Sequence, residues 1–149
     1  MDLGIKGRKA IICASSKGLG KGTAFALAEA GCEVVLNGRN AEVLHATAEE
    51  IKKATGAKVT EIIGDVSERA TQDRLLEACA EPDILINNNG GPPLRDFRAL
   101  DRSALVEGVV QNMVTPIELI QRVIDGMVAR QFGRIINITS ASVLTPISG

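Results

Sequence analysis

The sequence predicts a single α/β domain with a doubly wound parallel sheet, and three observations support this. Five short apolar segments alternate with longer segments of helical character. Most of the short segments lack polar alternation, as expected for strands that helices cover on both faces. A glycine-rich turn separates the first apolar segment from the first helix. Repeated alternation of this kind favours parallel strands with right-handed crossovers, and 149 residues suit one such domain.

The first half of the chain gives three strands and two helices. Residues 9–14 are apolar after Lys9 and form the first strand, and the glycines within 18–22 predict a tight turn. The following segments are, in order, an alanine-rich helix at 23–30, a strand at 33–36, a helix at 41–54 and a strand at 58–63. Gly31 and Gly56 end the two helices.

The second half adds two helices and two strands. A third helix covers residues 67–80 with Ser67 as its N-terminal cap, and a fourth strand covers 83–86. A long helix covers 102–129 and a fifth strand 133–139. Apolar residues at helical spacing predict a core-facing stripe on the long helix, made of Val109, Met113, Ile117, Ile120, Ile124 and Met127.

The last ten residues predict a loop that leaves the fifth strand. A dinucleotide-binding sheet has about six strands, so this sheet stops one strand short and leaves an apolar strand at its edge. We therefore expect residues 1–149 to be a dinucleotide-binding domain that is incomplete at its C-terminal end, the first part of a longer protein.

Composition excludes several classes of function. Seventeen basic and 18 acidic residues are interspersed, and the only aromatic residues are three phenylalanines, so nucleic acid is not an expected partner. Three separated cysteines and one histidine cannot form a structural zinc site or a Ser-His-Asp triad. Because no signal peptide or membrane-spanning segment is visible, we expect a cytoplasmic protein without a membrane partner.

The turn after the first strand predicts a nucleotide site. It reads Ser15-Ser16-Lys17-Gly18-Leu19-Gly20, and glycines before a helix let backbone N–H groups approach a pyrophosphate. A tight turn without a ligand would give the same pattern, but the position between first strand and first helix favours the nucleotide. A P-loop is excluded because Gly22 follows Lys21 where Ser or Thr is required.

The end of the second strand predicts which cofactor binds. NAD-specific sites carry a carboxylate there, whereas this chain has Asn37-Gly38-Arg39. A guanidinium suits a 2′-phosphate, and Lys17 adds a second cation, so the expected cofactor is NADP(H). The alternative is that Arg39 is an ordinary solvated residue at the start of a helix.

Five motifs in the same order resemble those of the short-chain dehydrogenase/reductase family over essentially the whole chain. Gly18 and Gly20 match its T-G-x-x-x-G-x-G turn, with Cys13-Ala14 in place of Thr-Gly, and Asp65-Val66 matches the Asp-Val after the third strand. Asn87-Asn88-Asn89-Gly90 matches N-N-A-G, with Asn89 in place of alanine. The family's helix asparagine falls on Asn112, and its G-R-I-x-N-x-S-S strand matches residues 133–140.

The resemblance implies a Rossmann sheet and assigns the site residues. The cofactor would be bound by Ser15, Ser16, Lys17, Gly18, Leu19, Gly20, Arg39, Asp65, Val66, Asn88 and Gly90. Ser140 and Asn112 would be catalytic. In the family a Y-x-x-x-K motif about a dozen residues after the serine supplies the general acid, and this chain ends before that point. Ala14-Ser15-Ser16 and residues 140–143 resemble a divergent branch in which that pair is often replaced.

The implied function is hydride transfer between NADP(H) and a small carbonyl or alcohol substrate, in an enzyme similar to 3-oxoacyl-carrier-protein reductases. A non-catalytic nucleotide-binding or regulatory protein remains the alternative. A methyltransferase on the same sheet would need an acid at the end of the second strand. The family's long helix commonly packs against a partner subunit, so the resemblance also implies a homo-oligomer.

The long helix carries its own signal at Thr115-Pro116. Proline lacks an N–H group, so it cannot donate to the carbonyl of Asn112 one turn earlier. We therefore predict a kink with an open carbonyl at Asn112, which in the family holds a water of a proton relay. A kink used only for packing is the alternative.

Overall fold

The computed structural model describes residues 2–90, 96–140 and 144–145, and within them five parallel strands form one sheet. The strands are Lys9–Ile12 (β1), Glu33–Gly38 (β2), Val59–Ile63 (β3), Ile84–Asn87 (β4) and Arg134–Asn137 (β5). Their spatial order is β3-β2-β1-β4-β5. This order, with crossovers on both sides of β1, confirms the predicted doubly wound fold. Residues 141–143 of the predicted divergent segment lie outside the described residues.

Alternate residues of the central strands pack into two separate cores. Ile12, Leu36 and Ile86 contribute to a core with the helices Gly18–Glu29 (α1) and Ala41–Thr55 (α2). Their neighbours Ile11 and Leu85 contribute to a second core, with the helices Arg69–Ala78 (α3) and Thr115–Ala129 (α5). Because side chains alternate across a strand, a run without polar residues fills both cores.

Helix α1 begins at Gly18, five residues before the predicted start at residue 23. Glycine disfavours helix interiors, so the sequence predicted a separate turn at 18–22. In the structure these residues are the first turn of the helix, whose leading N–H groups have no partner within the helix in any case. Lys17 is the N-cap residue with extended backbone, and no side chain caps this end.

Helix α3 begins at Arg69, and the prediction that Ser67 caps it is wrong. The N-cap residue is Glu68, which makes no side-chain capping bond. The Ser67 hydroxyl donates instead to Asp65 Oδ1 at 2.7 Å, within the loop that follows β3. Ser67 lies one residue before the N-cap position, and its side chain instead stabilises the loop before the helix.

The long helix predicted at 102–129 is present but not uniform. It consists of Arg102–Val109 (α4), a π-helical segment Val110–Val114 and α5. The N–H of Thr115 bonds to the carbonyl of Val110, five residues earlier. The interruption predicted from Pro116 is therefore a wider helical turn. Because Pro116 has no N–H, it can donate neither to the carbonyl of Gln111, at π spacing, nor to that of Asn112, at α spacing.

The predicted core stripe of this helix is wrong for four of its six members. Val109, Met113, Ile117 and Ile124 are exposed. The residues that face the sheet are spaced by four, namely Thr115, Leu119, Val123 and Met127. The helix is apolar on more than one face, so periodicity alone could not choose the face that packs.

Strand β5 lies at an edge of the sheet, as predicted, and Ile136 on it is half exposed. The other edge is β3. In the described parts of the chain, no helix combines the length and the apolar character needed to cross a membrane.

Candidate functional site

The carboxyl ends of the strands meet at a cleft of about 250 Å³. Its walls come from the ends of β1, β4 and β5, the loop after β3, and the helix from Gln111 to Ile120. Val66, Asn88 and Asn112, all predicted site residues, line it. Open α/β sheets bind ligands at this edge, where the strand order reverses, so the cleft lies where a cofactor site is expected.

The turn after β1 is fastened to β2 by buried hydrogen bonds. The Ser15 hydroxyl donates to the carbonyl of Ile12 at 2.9 Å and accepts from the N–H of Asn37 at 3.0 Å. The N–H of Ser15 donates to the carbonyl of Asn37 at 2.7 Å. Ser15 is fully buried, so its hydroxyl holds the turn in place and cannot contact a cofactor directly.

Asn37 connects three strand ends and was not predicted as a site residue. Its Nδ2 donates to the carbonyls of Ile62 and Gly64 at 3.1 and 3.0 Å, and its Oδ1 accepts from the N–H of Ala14 at 3.3 Å. The side chain is 1% exposed. A buried amide at the end of an otherwise apolar strand is the sequence signal that could have identified it.

The next residues of the turn point outward. Ser16 is held by the Thr47 hydroxyl of α2, which donates to its carbonyl at 2.9 Å. Lys17, Gly18 and Leu19 are exposed. Within the described residues the Lys17 ammonium has no hydrogen-bond or ion-pair partner, and α1 has no acidic residue in its first turn. This helix end therefore presents unmatched positive charge.

Gly20 is required by close packing. A Cβ there would collide with the carbonyl oxygen of Ala14 and would lie 2.9 Å from Asn88 Nδ2. Asn88 Nδ2 itself donates to that carbonyl at 3.2 Å, which ties the loop after β4 to the turn after β1. Ala14 has φ of +46°, a left-handed conformation that glycine adopts without strain and that alanine rarely adopts.

Arg39 follows β2 and reaches across the carboxyl edge. Its Nη1 lies 3.9 Å from Asp65 Oδ2, and its Nη2 lies 3.9 Å from where a Cβ on Gly90 would be. The side chain is 72% exposed, so this long ion pair does not immobilise the guanidinium. The structure thus brings the predicted residues Arg39, Asp65 and Gly90 together beside the cleft.

Burial opposes ionisation of Asp65, but two other influences outweigh it. Ser67 donates both its N–H and its hydroxyl to Asp65 Oδ1, at 2.9 and 2.7 Å, and the Arg39 guanidinium adds attraction. The pKa of Asp65 is lowered as a result. The carboxylate is therefore charged at neutral pH and orders the loop after β3.

The two predicted catalytic residues are on opposite sides of the cleft, Asn112 on the long helix and Ser140 after β5. Asn112 is exposed at the cleft, and its Nδ2 donates to the carbonyl of Gly108 at 3.0 Å. Ser140 is exposed and follows Thr139, which lines the cleft. Two cleft residues also carry buried polar atoms, Asn87 Oδ1 and Thr115 Oγ1, that have no hydrogen-bond partner among the described residues.

Comparison with known proteins identifies the class of protein. The family model described as short chain dehydrogenase matches residues 8–149. The chain therefore belongs to the short-chain dehydrogenase family, as its motifs predicted.

Individual relatives are dehydrogenases and reductases. The chain is 34% identical over 146 residues to a (2S)-[(R)-hydroxy(phenyl)methyl]succinyl-CoA dehydrogenase subunit of Thauera aromatica, covering 95% of this chain and 58% of that protein. It is similar to the crystal structure of L-sorbose reductase from Gluconobacter frateurii with NADPH and L-sorbose, with 29% identity and a TM-score of 0.92, covering 99% and 57% of the two chains. A 3-oxoacyl (acyl-carrier-protein) reductase from Agrobacterium tumefaciens with NADP bound has 33% identity and a TM-score of 0.86, with coverage of 97% and 57%. The chain thus spans a little over half the length of these relatives.

Proposed function

We propose that this chain is the NADP(H)-binding half of an oxidoreductase that transfers hydride between the nicotinamide and a carbonyl or alcohol substrate. The observation that carries the proposal is the charge at the ends of β1 and β2. Lys17 and Arg39 are exposed there, and no acid ends β2. A ribose 2′-hydroxyl is normally bound by a carboxylate at that strand end, whereas a 2′-phosphate needs cations.

The rest of the edge fits the remainder of the cofactor. The uncapped first turn of α1 offers backbone N–H groups to a pyrophosphate, and Gly18 leaves open space beside them. Asp65 and Val66 would contact the adenine, as the family resemblance implies. Asn87 Oδ1 and Thr115 Oγ1 in the cleft, which no described residue pairs, provide hydrogen-bonding capacity for a polar group that enters it. The NADPH bound to L-sorbose reductase and the NADP bound to the 3-oxoacyl (acyl-carrier-protein) reductase are chemically compatible with these residues.

When bound, the cofactor would supply the hydride, and this chain's residues would bind and orient the reactants. Ser140 would donate a hydrogen bond to the substrate oxygen. The helix wall at Asn112 would hold a water next to it through a backbone carbonyl.

The cofactor assignment is tested by comparing NADPH and NADH binding. Arg39→Asp removes a charge-assisted contact and adds repulsion, so we expect the Kd for NADPH to rise about tenfold to a hundredfold. The Kd for NADH should change much less. Lys21→Ala is the control, because Lys21 is a cation of the neighbouring helix α1 that already pairs with Glu50 at 2.6 Å. An unchanged ratio of the two affinities in Arg39→Asp would refute the assignment.

The alternative is a nucleotide-binding or regulatory protein without turnover. Oxidation of NADPH by the whole protein in the presence of simple ketones or acyl thioesters separates the two. Binding of NADPH without turnover of any such substrate would favour the regulatory function.

We also infer a homo-oligomer in the cytoplasm. An exposed apolar face along α4, the π-helical segment and α5, made of Val109, Met113, Ile117 and Ile124, is available for a partner subunit. The three cysteines are buried and unpaired, which is compatible with a reducing compartment. Sedimentation of the whole protein tests the assembly, and a monomer at micromolar concentration would contradict it.

A further inference from the structure

The π-helical segment leaves one backbone carbonyl in need of a partner. Thr115 donates to Val110 at π spacing, so the next donor in that register would be the N–H of residue 116, directed to Gln111. Residue 116 is proline and has no N–H. The carbonyl of Gln111 therefore lacks its partner within the helix.

A side chain from another element takes this carbonyl. Asn89, in the loop after β4, donates from Nδ2 to the carbonyl oxygen of Gln111 at 3.1 Å. Its Oδ1 accepts from the N–H of Gly90 at 2.8 Å, which fixes which end of the amide faces the helix. Asn89, Gln111 and Pro116 all line the cleft, so the bond closes one of its corners.

Asn89 stands where the N-N-A-G motif has alanine, and alanine cannot make this bond. We propose that Asn89 is a positioning residue, which holds the π segment and thereby sets where the backbone of the adjoining Asn112 faces the cleft. The structural basis is independent of the cofactor, but the role in hydride transfer rests on the proposed function.

The neighbouring contacts support a positioning role for Asn89. The Asn112 side chain donates back to Gly108 at 3.0 Å, and the Gln111 side chain donates to Glu107 at 3.1 Å. Both of these bonds stay within the helix. In the described residues, the Asn89 amide is the hydrogen bond that joins the π segment to the sheet side of the cleft.

Hydrogen exchange of the Thr115 amide measures the π segment directly. Asn89→Ala removes both bonds, and Asn89→Asp keeps the acceptor for Gly90 but removes the donor to Gln111. We expect Thr115 to exchange about tenfold faster in both variants, with a shift of the Gln111 carbonyl ¹³C resonance. Asn40→Ala is the matched control, because Asn40 accepts from Val43 at 3.0 Å at the start of α2. It should affect Val43 and leave Thr115 unchanged.

The proposal would be overturned if neither the exchange rate of the Thr115 amide nor the Gln111 carbonyl resonance changed in the two variants. Turnover by the whole protein separates positioning from stability. We expect kcat of Asn89→Ala to fall roughly tenfold with KM for NADPH unchanged, because the cations that bind the 2′-phosphate lie at other strands. A rise in that KM with unchanged kcat would overturn the positioning role. Failure of the unmodified protein to bind NADPH would refute the proposed function and leave the exchange result standing.

Discussion

Replacing Asn37 by leucine tests how the cofactor-binding edge is held together. The two side chains have the same branching and nearly the same shape, so the change removes hydrogen bonds without opening a large cavity. Asn37→Leu breaks the two bonds from Nδ2 to Ile62 and Gly64 and the bond that Oδ1 accepts from Ala14. Since the side chain is 1% exposed, the three backbone groups lose partners in a largely dry site.

The expected loss follows from those three bonds. Each intramolecular hydrogen bond contributes about 1 kcal/mol, and a buried group left unpaired costs about 1–3 kcal/mol. We expect the free energy of unfolding to fall by about 3 kcal/mol. For a domain of this size, each kcal/mol lowers Tm by about 2–4 °C, so the expected shift is about 6–12 °C.

Urea and thermal unfolding followed by circular dichroism measure this loss. Asn40→Ala serves as the matched control, since Asn40 makes one exposed capping bond to Val43 and its removal should cost about 1 kcal/mol. NADPH affinity should also fall in Asn37→Leu, because the turn that carries Lys17 loses its attachment to β2. A loss no greater than that of the control would show that water satisfies these carbonyls, and would refute the reasoning.

Three further predictions concern strain, pH and thiol reactivity. Ala14→Gly relieves the positive φ at a cost in unfolded-state entropy, so we expect a gain of about 0.5–1 kcal/mol in the free energy of unfolding; equal or lower stability would contradict the strain. The lowered pKa of Asp65 stabilises the fold above its unfolded pKa of about 3.9, and this contribution disappears as pH falls through the folded pKa. Asp65→Asn should therefore reduce stability at pH 7 more than at pH 3. Burial raises the pKa of Cys13 to about 12, so iodoacetamide at pH 8 should modify it only after unfolding, as mass spectrometry would show.

The sequence predicted the parts of the site that depend on local chemistry. Glycines between a first strand and a first helix, and an arginine in place of an acid after the second strand, are readable because each satisfies one requirement of a dinucleotide. The structure brings Arg39, Asp65 and Gly90 to the same edge, as parallel strands require. That these residues bind NADP(H) remains a proposal.

Other parts of the site could not be read from the chain. Ser15 belongs to the predicted cofactor-binding turn but faces inward, because its hydroxyl bonds to backbone groups of β1 and β2. In the sequence, Asn89 is only a departure from the N-N-A-G motif. The structure shows that its amide donates to the carbonyl of Gln111. Ser67 resembled a helix cap, but the helix begins one residue too late for it, and its hydroxyl bonds to Asp65 within the preceding loop.

The sequence by itself determined the alternation of strands and helices, the parallel sheet and the family, because hydrophobic period and motif order are local properties. Only the tertiary structure decided which face of α5 packs, where α1 begins, and how the long helix widens at Val110–Val114. Those outcomes depend on partners distant along the chain. The buried amide of Asn37 and the amide of Asn89 act on backbone groups 23–27 and 22 residues away, respectively, and no local pattern encodes such pairs.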